Sequence, residues 1–187
     1  MTSSTKRILI GGIGNVFLGD DGFGVEVVRR LAGRSLPQGV VVVEFGVRGF
    51  DLAYALLDGY DAAILVDAAR RGQVPGTLYV IEPDPEDAAG PGPSGQPDGV
   101  VVDAHSLDPM RVLRLVSAMG ARPPLLLVVG CEPVALCFDD LGLSAPVALA
   151  AGEAVGLIES LVGKIVRGEP IEERSAPSIL DTPVERS

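Results

Sequence analysis

Cysteine is scarce in this sequence, where Cys131 and Cys137 are the only two in 187 residues. Small domains that depend on disulfides carry several pairs, so two cysteines in a chain of this length exclude a disulfide framework. We interpret both as reduced thiols of the core. A metal site built on the pair is the alternative, but one pair at this spacing is a weak signal for zinc.

Positive charge is also in short supply. The chain has 15 Lys and Arg against 25 Asp and Glu, which gives a formal net charge of −10. Binding to a nucleic-acid backbone requires clustered Lys and Arg. The sequence therefore predicts no nucleic-acid partner and favours a cationic segment on a protein partner.

Long uninterrupted apolar runs are missing as well. Glu132 interrupts the 124–137 stretch, and Glu153 and Glu159 interrupt the last helical pattern, so we expect no membrane span. The apolar stretch near the N-terminus contains glycines and lacks a small-residue cleavage signal, which argues against a signal peptide. The prediction is a cytoplasmic protein that does not contact a membrane.

The sequence does contain an alternation of strand-like and helix-like patterns. Such alternation implies βαβ units and a parallel sheet. The link between the third and fourth predicted strands is too short for a helical crossover, so the fourth is expected to be an antiparallel edge. The predicted strands are 7–13, 40–45, 62–67, 77–82 and 125–130, and the predicted helices are 21–33, 50–58, 106–119 and 144–167.

The predicted architecture is an α/β three-layer sandwich, with a mostly parallel, twisted sheet of about five strands and helices on both faces. Its length favours a single domain, which we place at 1–167. Pro, Gly and Asp dominate 83–99, which is predicted to be a mobile surface loop. The segment 168–187 has little apolar content and is predicted to be a disordered tail.

The most informative segment is 8–24, where an apolar strand runs into a glycine turn and Asp20 and Asp21 then open a helix. Asp20 is predicted to be the N-cap of that helix, with Asp21 near the positive end of its dipole. The glycines at 11–14 suggest a dinucleotide-binding fingerprint. Phe17, however, takes the place of the third glycine, and the acidic pair would repel a pyrophosphate. A nucleotide-binding or chaperone-like module is the alternative function.

Two further residues are predicted to lie near this turn. Asp67 closes the third apolar strand, and where the first and third strands are neighbours their carboxyl ends border one crevice. His105, the only histidine, precedes the third predicted helix. Together with Asp21 they form a mixed carboxylate and imidazole set suited to nickel or zinc. The plainer interpretations are that Asp67 caps a loop or pairs with Arg70 or Arg71, and that His105 is a helix cap or a satisfied surface residue.

These residues resemble the nickel-iron hydrogenase maturation endopeptidases over roughly residues 7–165. Members of that family remove a C-terminal extension from the hydrogenase large-subunit precursor after nickel has been inserted. The resemblance implies the same reaction here, carried out by an aspartic-type or nickel-dependent peptidase with a phosphorylase/hydrolase-like fold. The shared elements are Gly12-Ile13-Gly14-Asn15 with Leu18, Asp20, Asp21, Gly22 and Gly24, then Val66-Asp67-Ala68, Pro75-Gly76-Thr77, and His105 with Leu107.

The resemblance further implies that Asp21, Asp67 and His105 are catalytic through a nickel ion that the substrate carries. Zinc or cadmium would be able to take its place. Two mechanisms stay open, because either the metal polarises the scissile carbonyl or activates water, or the pair of Asp20 and Asp21 includes a general base.

The family resemblance also gives expectations about the partner. Asn15 and Arg48 are expected to bind substrate, with pairing to Glu44 as the alternative role of Arg48. The expected partner is the large-subunit precursor, and the chain is expected to be a monomer. The segment at 44–49 departs from the Gly-Gly-Thr-like turn of the family, so the hydrogenase subtype is not predicted.

Overall fold

The computed structural model of the protein describes residues 5–83, 125–134, 136 and 142–171, together with positions 112, 116, 117, 119 and 120. Three predictions fall mostly or wholly outside these residues. They are the loop at 83–99, the helix at 106–119 and the tail at 168–187. Of the predicted helix, Val112 and Val116 are described, and both are helical and buried.

Five strands form one sheet, and in chain order they are β1 (Ile8–Ile13), β2 (Val40–Gly46), β3 (Ala62–Ala68), β4 (Leu78–Ile81) and β5 (Leu125–Cys131). Their order in the sheet is β2-β1-β3-β5-β4. Every neighbouring pair is parallel except β4 and β5, which are antiparallel at the edge. The mostly parallel sheet with an antiparallel edge strand is therefore confirmed.

Helices cover both faces of this sheet. Those bounded within the described residues are α1 (Phe23–Ala32), which follows a 3₁₀ turn at Gly19–Gly22, α2 (Gly49–Leu57) and α3 (Ala145–Arg167). Successive side chains of a strand point to opposite faces, so Ile8 and Ile10 pack in one core with α1 and α3. Leu9 packs in the other core with α2, Val112 and Val116. The predicted three layers are confirmed.

The helix α3 corrects one sequence expectation. Among the described residues it is the one helix whose length and composition, with a mean hydropathy of 1.5, would also suit a membrane span. Glu153 and Glu159 are too few charges to interrupt it, so the expectation that no segment reaches that length is wrong. Nine of its residues between Val147 and Ile165 are buried, as in a core helix.

Facing glycines allow α1 to approach the sheet closely. A Cβ atom on Gly12 would lie 2.4 Å from the carbonyl oxygen of Gly24. A Cβ atom on Gly24 would lie 2.1 Å from the carbonyl oxygen of Val66 and 2.3 Å from that of Ile13. This contact places the start of α1, and the 3₁₀ turn before it, against the carboxyl ends of β1 and β3.

Candidate active site

The structure brings Asp21 and Asp67 to the same edge of the sheet. β1 and β3 pair in parallel, with Gly12 opposite Val66, so Asp67 lies at the level where β1 ends. The chain then turns from Gly14 into the 3₁₀ turn that carries Asp21. Both carboxylates thus follow neighbouring strand ends, which is the usual ligand position in open α/β sheets.

The turn that carries Asp21 is held by Asn15. The backbone N–H of Asn15 donates to Oδ2 of Asp21 at 2.6 Å, and its side-chain oxygen accepts from the N–H of Phe17 at 3.0 Å. Gly14 has φ of 121°, and a Cβ there would lie 1.8 Å from the carbonyl oxygen of Asp21. Only glycine allows this crossing of the backbone. Asn15 was predicted to bind substrate, and its contacts in the structure show a part in shaping the turn.

The carboxyl group of Asp21 is half-buried. Burial raises its pKa above the ordinary value, and the hydrogen bond from Asn15 partly opposes this shift. An ionised carboxylate that has lost hydration gains more from a nearby cation than one in open water. The environment of Asp21 therefore suits contact with a metal ion.

Asp67 is mostly buried but keeps 7% of its surface exposed. Its Oδ1 accepts from the N–H of Ala68 at 2.9 Å. Arg71 is one of the two arginines that the sequence offered as partners of Asp67. Its guanidinium lies 5.0 Å from the ring centre of Tyr79. The hydroxyl of Tyr79 donates to the carbonyl oxygen of Ala69 at 2.9 Å, so the segment after β3 is fixed to β4 beside Asp67.

Asp20 has a different role from the one predicted. The N-cap position of α1 is Gly22, without a side-chain capping bond, so the prediction that Asp20 caps this helix is wrong. Its carboxylate accepts from the N–H of Val134 at 2.8 Å, and from the N–H and hydroxyl of Ser144 at 2.7 and 2.9 Å. Asp20 therefore joins the 3₁₀ turn to the segment after β5 and to the start of α3.

Glu132 is a buried carboxylate at this edge and was not among the predicted site residues. It is 4% exposed and accepts from the N–H of Arg71 at 2.7 Å. Its backbone N–H donates to Thr77 and its carbonyl oxygen accepts from Gly76. Glu132 fixes the loop between β3 and β4. The sequence contained a signal for this role, because Glu132 directly follows the apolar run of β5, and Asp67 lies likewise at the end of the apolar run of β3.

The remaining predicted ligands can be followed only in part. His105 and Cys137 lie outside the described residues. Cys131 is a buried free thiol, as predicted, and burial, with the nearby charges of Asp20 and Glu132, raises its pKa to about 12. Within the part of the chain that the structure describes, no three His, Cys, Asp or Glu side chains are grouped as a metal would require.

Arg48 is exposed and bonded to its own turn. Its guanidinium donates to the backbone carbonyl oxygens of Glu44 and Phe45 and lies 3.3 Å from the carboxylate of Asp51. The predicted alternative was a pair between Arg48 and Glu44, and the structure shows it only as a hydrogen bond to the backbone carbonyl oxygen of Glu44. The carboxylate of Glu44 instead receives both bonds of Arg29, at 2.9 and 3.0 Å.

This chain is similar to proteins that are described by a part in hydrogenase formation or maturation. The family model HycI, hydrogenase maturation protease, matches residues 25–161. The chain is 32% identical over 163 residues to the hydrogenase expression/formation protein HupD of Rhodobacter capsulatus, which covers 87% of this chain and 70% of HupD. It is 33% identical over 156 residues to a putative hydrogenase maturation protease of Methanocaldococcus jannaschii, and this match covers 82% of this chain and 94% of that protein. Its fold is similar to that of the hydrogenase maturating endopeptidase HybD from E. coli, with a TM-score of 0.67 and 27% sequence identity. This match covers 85% of this chain and 93% of HybD.

Proposed function

Because this chain belongs to the hydrogenase maturation protease family, we propose that it removes the C-terminal extension of a nickel-iron hydrogenase large-subunit precursor after nickel insertion. The nickel ion belongs to the substrate and marks the precursor as ready for cleavage. The observation that supports this proposal is that β1 and β3 are parallel neighbours, with Asp67 at the carboxyl end of β3 and Asp21 in the turn that follows β1. In this proposal the protein acts in the cytoplasm as a monomer.

The substrate nickel would contact Asp21, Asp67 and His105. Two carboxylates and one imidazole are donors that a borderline divalent ion accepts, so zinc or cadmium would also fit. The half-buried carboxyl group of Asp21 supports this assignment, because burial has already removed part of its hydration. A site with one imidazole leaves coordination positions open for ligands from the precursor.

Of the two adjacent carboxylates, Asp20 and Asp21, only Asp21 is placed to take part in the reaction. Asp20 is 2% exposed and accepts three hydrogen bonds, so its carboxylate has no access to a water molecule in contact with substrate. If a carboxylate of the pair acts as general base, it is Asp21. If the reaction depends on the metal, Asp21 helps to position the scissile peptide, and the nickel of the substrate polarises its carbonyl.

The alternative nucleotide-binding module is disfavoured by the start of α1. A phosphate site at a helix N-terminus needs free backbone N–H groups and close access. Here the 3₁₀ turn precedes α1 directly, and Gly22, Phe23 and Gly24 are buried. Glu44, which would be the ribose-binding acid, is bonded to Arg29. Binding of NAD or ATP with micromolar affinity, unaffected by metal, would favour the alternative.

The test is incubation of the protein with large-subunit precursors that carry or lack nickel, followed by mass analysis of the C-terminus. We expect loss of a C-terminal segment only from the nickel-loaded precursor. His105→Ala should abolish this cleavage, because the metal contact loses its only imidazole. The matched control is Arg34→Ala, which removes an exposed ion pair between the segment after α1 and Glu159 of α3 and should process the precursor normally.

Three outcomes would contradict parts of the proposal. Equal cleavage of nickel-free precursor would show that the protein is a peptidase that does not recognise the metal. Normal cleavage by His105→Ala would remove His105 from the site. Stoichiometric metal retained by the purified protein would contradict delivery of the metal by the substrate.

A further inference from the structure

The side chain of Asp20 links the turn that carries Asp21 to two distant parts of the fold, at Val134 and at Ser144. We propose that Asp20 is a positioning residue, which fixes the orientation of Asp21 by anchoring the 3₁₀ turn to the start of α3 and to the segment after β5. This inference rests on the proposed function insofar as Asp21 acts on the precursor. The positioning itself is measurable without any substrate.

The anchor is built for a carboxylate. All three partner groups are donors, namely the N–H of Val134, the N–H of Ser144 and the hydroxyl of Ser144. An ionised carboxylate is acceptor-only, whereas an amide has a single oxygen and presents donors on its nitrogen. Replacement of Asp20 by Asn therefore turns an NH₂ group toward at least one donor, and at 2% exposure water cannot easily intervene.

The 3₁₀ turn needs such an anchor because it begins with a long hydrogen bond and is bounded by glycines. The N–H of Asp21 reaches the carbonyl oxygen of Leu18 at 3.3 Å. The turn begins and ends with glycine, and Gly19 has φ of 58°. Glycine leaves the backbone more freedom than any other residue. The inward carboxylate of Asp20 removes that freedom at the residue next to Asp21.

Asp21 then faces its own partner on the other side of the turn. Its Oδ2 accepts from the N–H of Asn15 at 2.6 Å. Adjacent residues with side chains held by separate parts of the fold fix the backbone between them, so loss of the Asp20 anchor should loosen the Asn15–Asp21 bond. The exchange rate of the Asn15 amide hydrogen reports that bond directly.

The experiment compares Asp20→Asn, Ser144→Ala and the control Asp61→Asn. Asp61 also accepts a backbone N–H at 2.7 Å, from Arg7, but at the amino end of the sheet. We expect the Asn15 amide to exchange at least about tenfold faster in Asp20→Asn, with a smaller increase in Ser144→Ala, while amides of β1 and β3 stay protected. Asp61→Asn should leave Asn15 unchanged.

Kinetics on nickel-loaded precursor supply the second readout. Asp20→Asn should lower kcat at least about tenfold with little change in KM, because binding surfaces persist while the reacting geometry is lost. Ser144→Ala should give an intermediate kcat, and it keeps the inference testable if Asp20→Asn does not fold.

The inference fails if thermal stability falls while Asn15 exchange and kcat stay at wild-type values, since Asp20 is then only structural. It also fails if exchange rises and kcat does not change. If the wild-type protein cleaves no precursor, the proposed function fails, and the exchange measurement still decides whether Asp20 fixes Asp21.

Discussion

Gly24 is a position where one added methyl group should displace the helix that supports the site. In Gly24→Ala the new Cβ would lie 2.1 and 2.3 Å from the carbonyl oxygens of Val66 and Ile13. Ordinary contacts of this kind exceed 3 Å, so α1 has to move outward by roughly 1 Å. Both obstructing atoms belong to central strands and cannot turn aside. Overpacking of a core costs about 1–3 kcal/mol, and we expect a loss near the upper end, about 3 kcal/mol.

Urea unfolding followed by circular dichroism measures this loss. The control is Gly156→Ala within α3, where no heavy atom lies within 4 Å of the added Cβ. Alanine in a helix is favoured over glycine by about 0.5–1 kcal/mol, so the same substitution should stabilise the protein there. A free energy of unfolding for Gly24→Ala within about 0.5 kcal/mol of wild type would refute the idea that this contact sets the position of α1.

Two further predictions concern single ionisable groups. Burial raises the pKa of Asp21 in the folded state, so ionisation of this carboxyl group opposes folding. The resulting loss of stability is absent when the pH is below the pKa of Asp21 in the unfolded chain, and it grows as the pH rises through the pKa in the folded protein. Asp21→Asn should therefore melt at a higher temperature than wild type at pH 7 but not at pH 3, and should lose precursor cleavage; a lower melting temperature at pH 7 would contradict this. Burial raises the pKa of Cys131 to about 12, so this thiol should be unreactive in the folded protein. In a Cys137→Ser protein, a thiol reagent at pH 8 should therefore label the chain only after unfolding. Rapid labelling of the native protein would show that Cys131 is accessible.

The sheet could be predicted because its signals are local and repeated. Each apolar run matches a strand to within one residue at either end, since buried parallel strands require continuous apolar side chains. The antiparallel edge followed from the length of one loop, because a parallel β4 would need a helical crossover after β3. The last helix was delimited by Ser144, Pro146 and its apolar face, and it spans Ala145–Arg167.

The candidate site was only partly predictable. Asp21 and Asp67 could be placed together, because β1 and β3 were expected to be neighbours. The partners of Asp20 could not be predicted, since Val134 and Ser144 lie 114 and 124 residues away and no local pattern marks such contacts. A local capping rule gave the wrong role for Asp20, because α1 begins only after the 3₁₀ turn.

The bond between Asp20 and Ser144 has a consequence for the order of events during protein synthesis. The two residues are separated by 124 positions, which a ribosome translates in roughly 6–25 s. Until Ser144 has left the ribosome, the turn beside Asp21 has no anchor from α3, although β1, β2 and β3 have already emerged. The nascent chain therefore carries its acidic turn unfinished for most of translation, and competence for cleavage should appear late, when the helix near its C-terminal end docks.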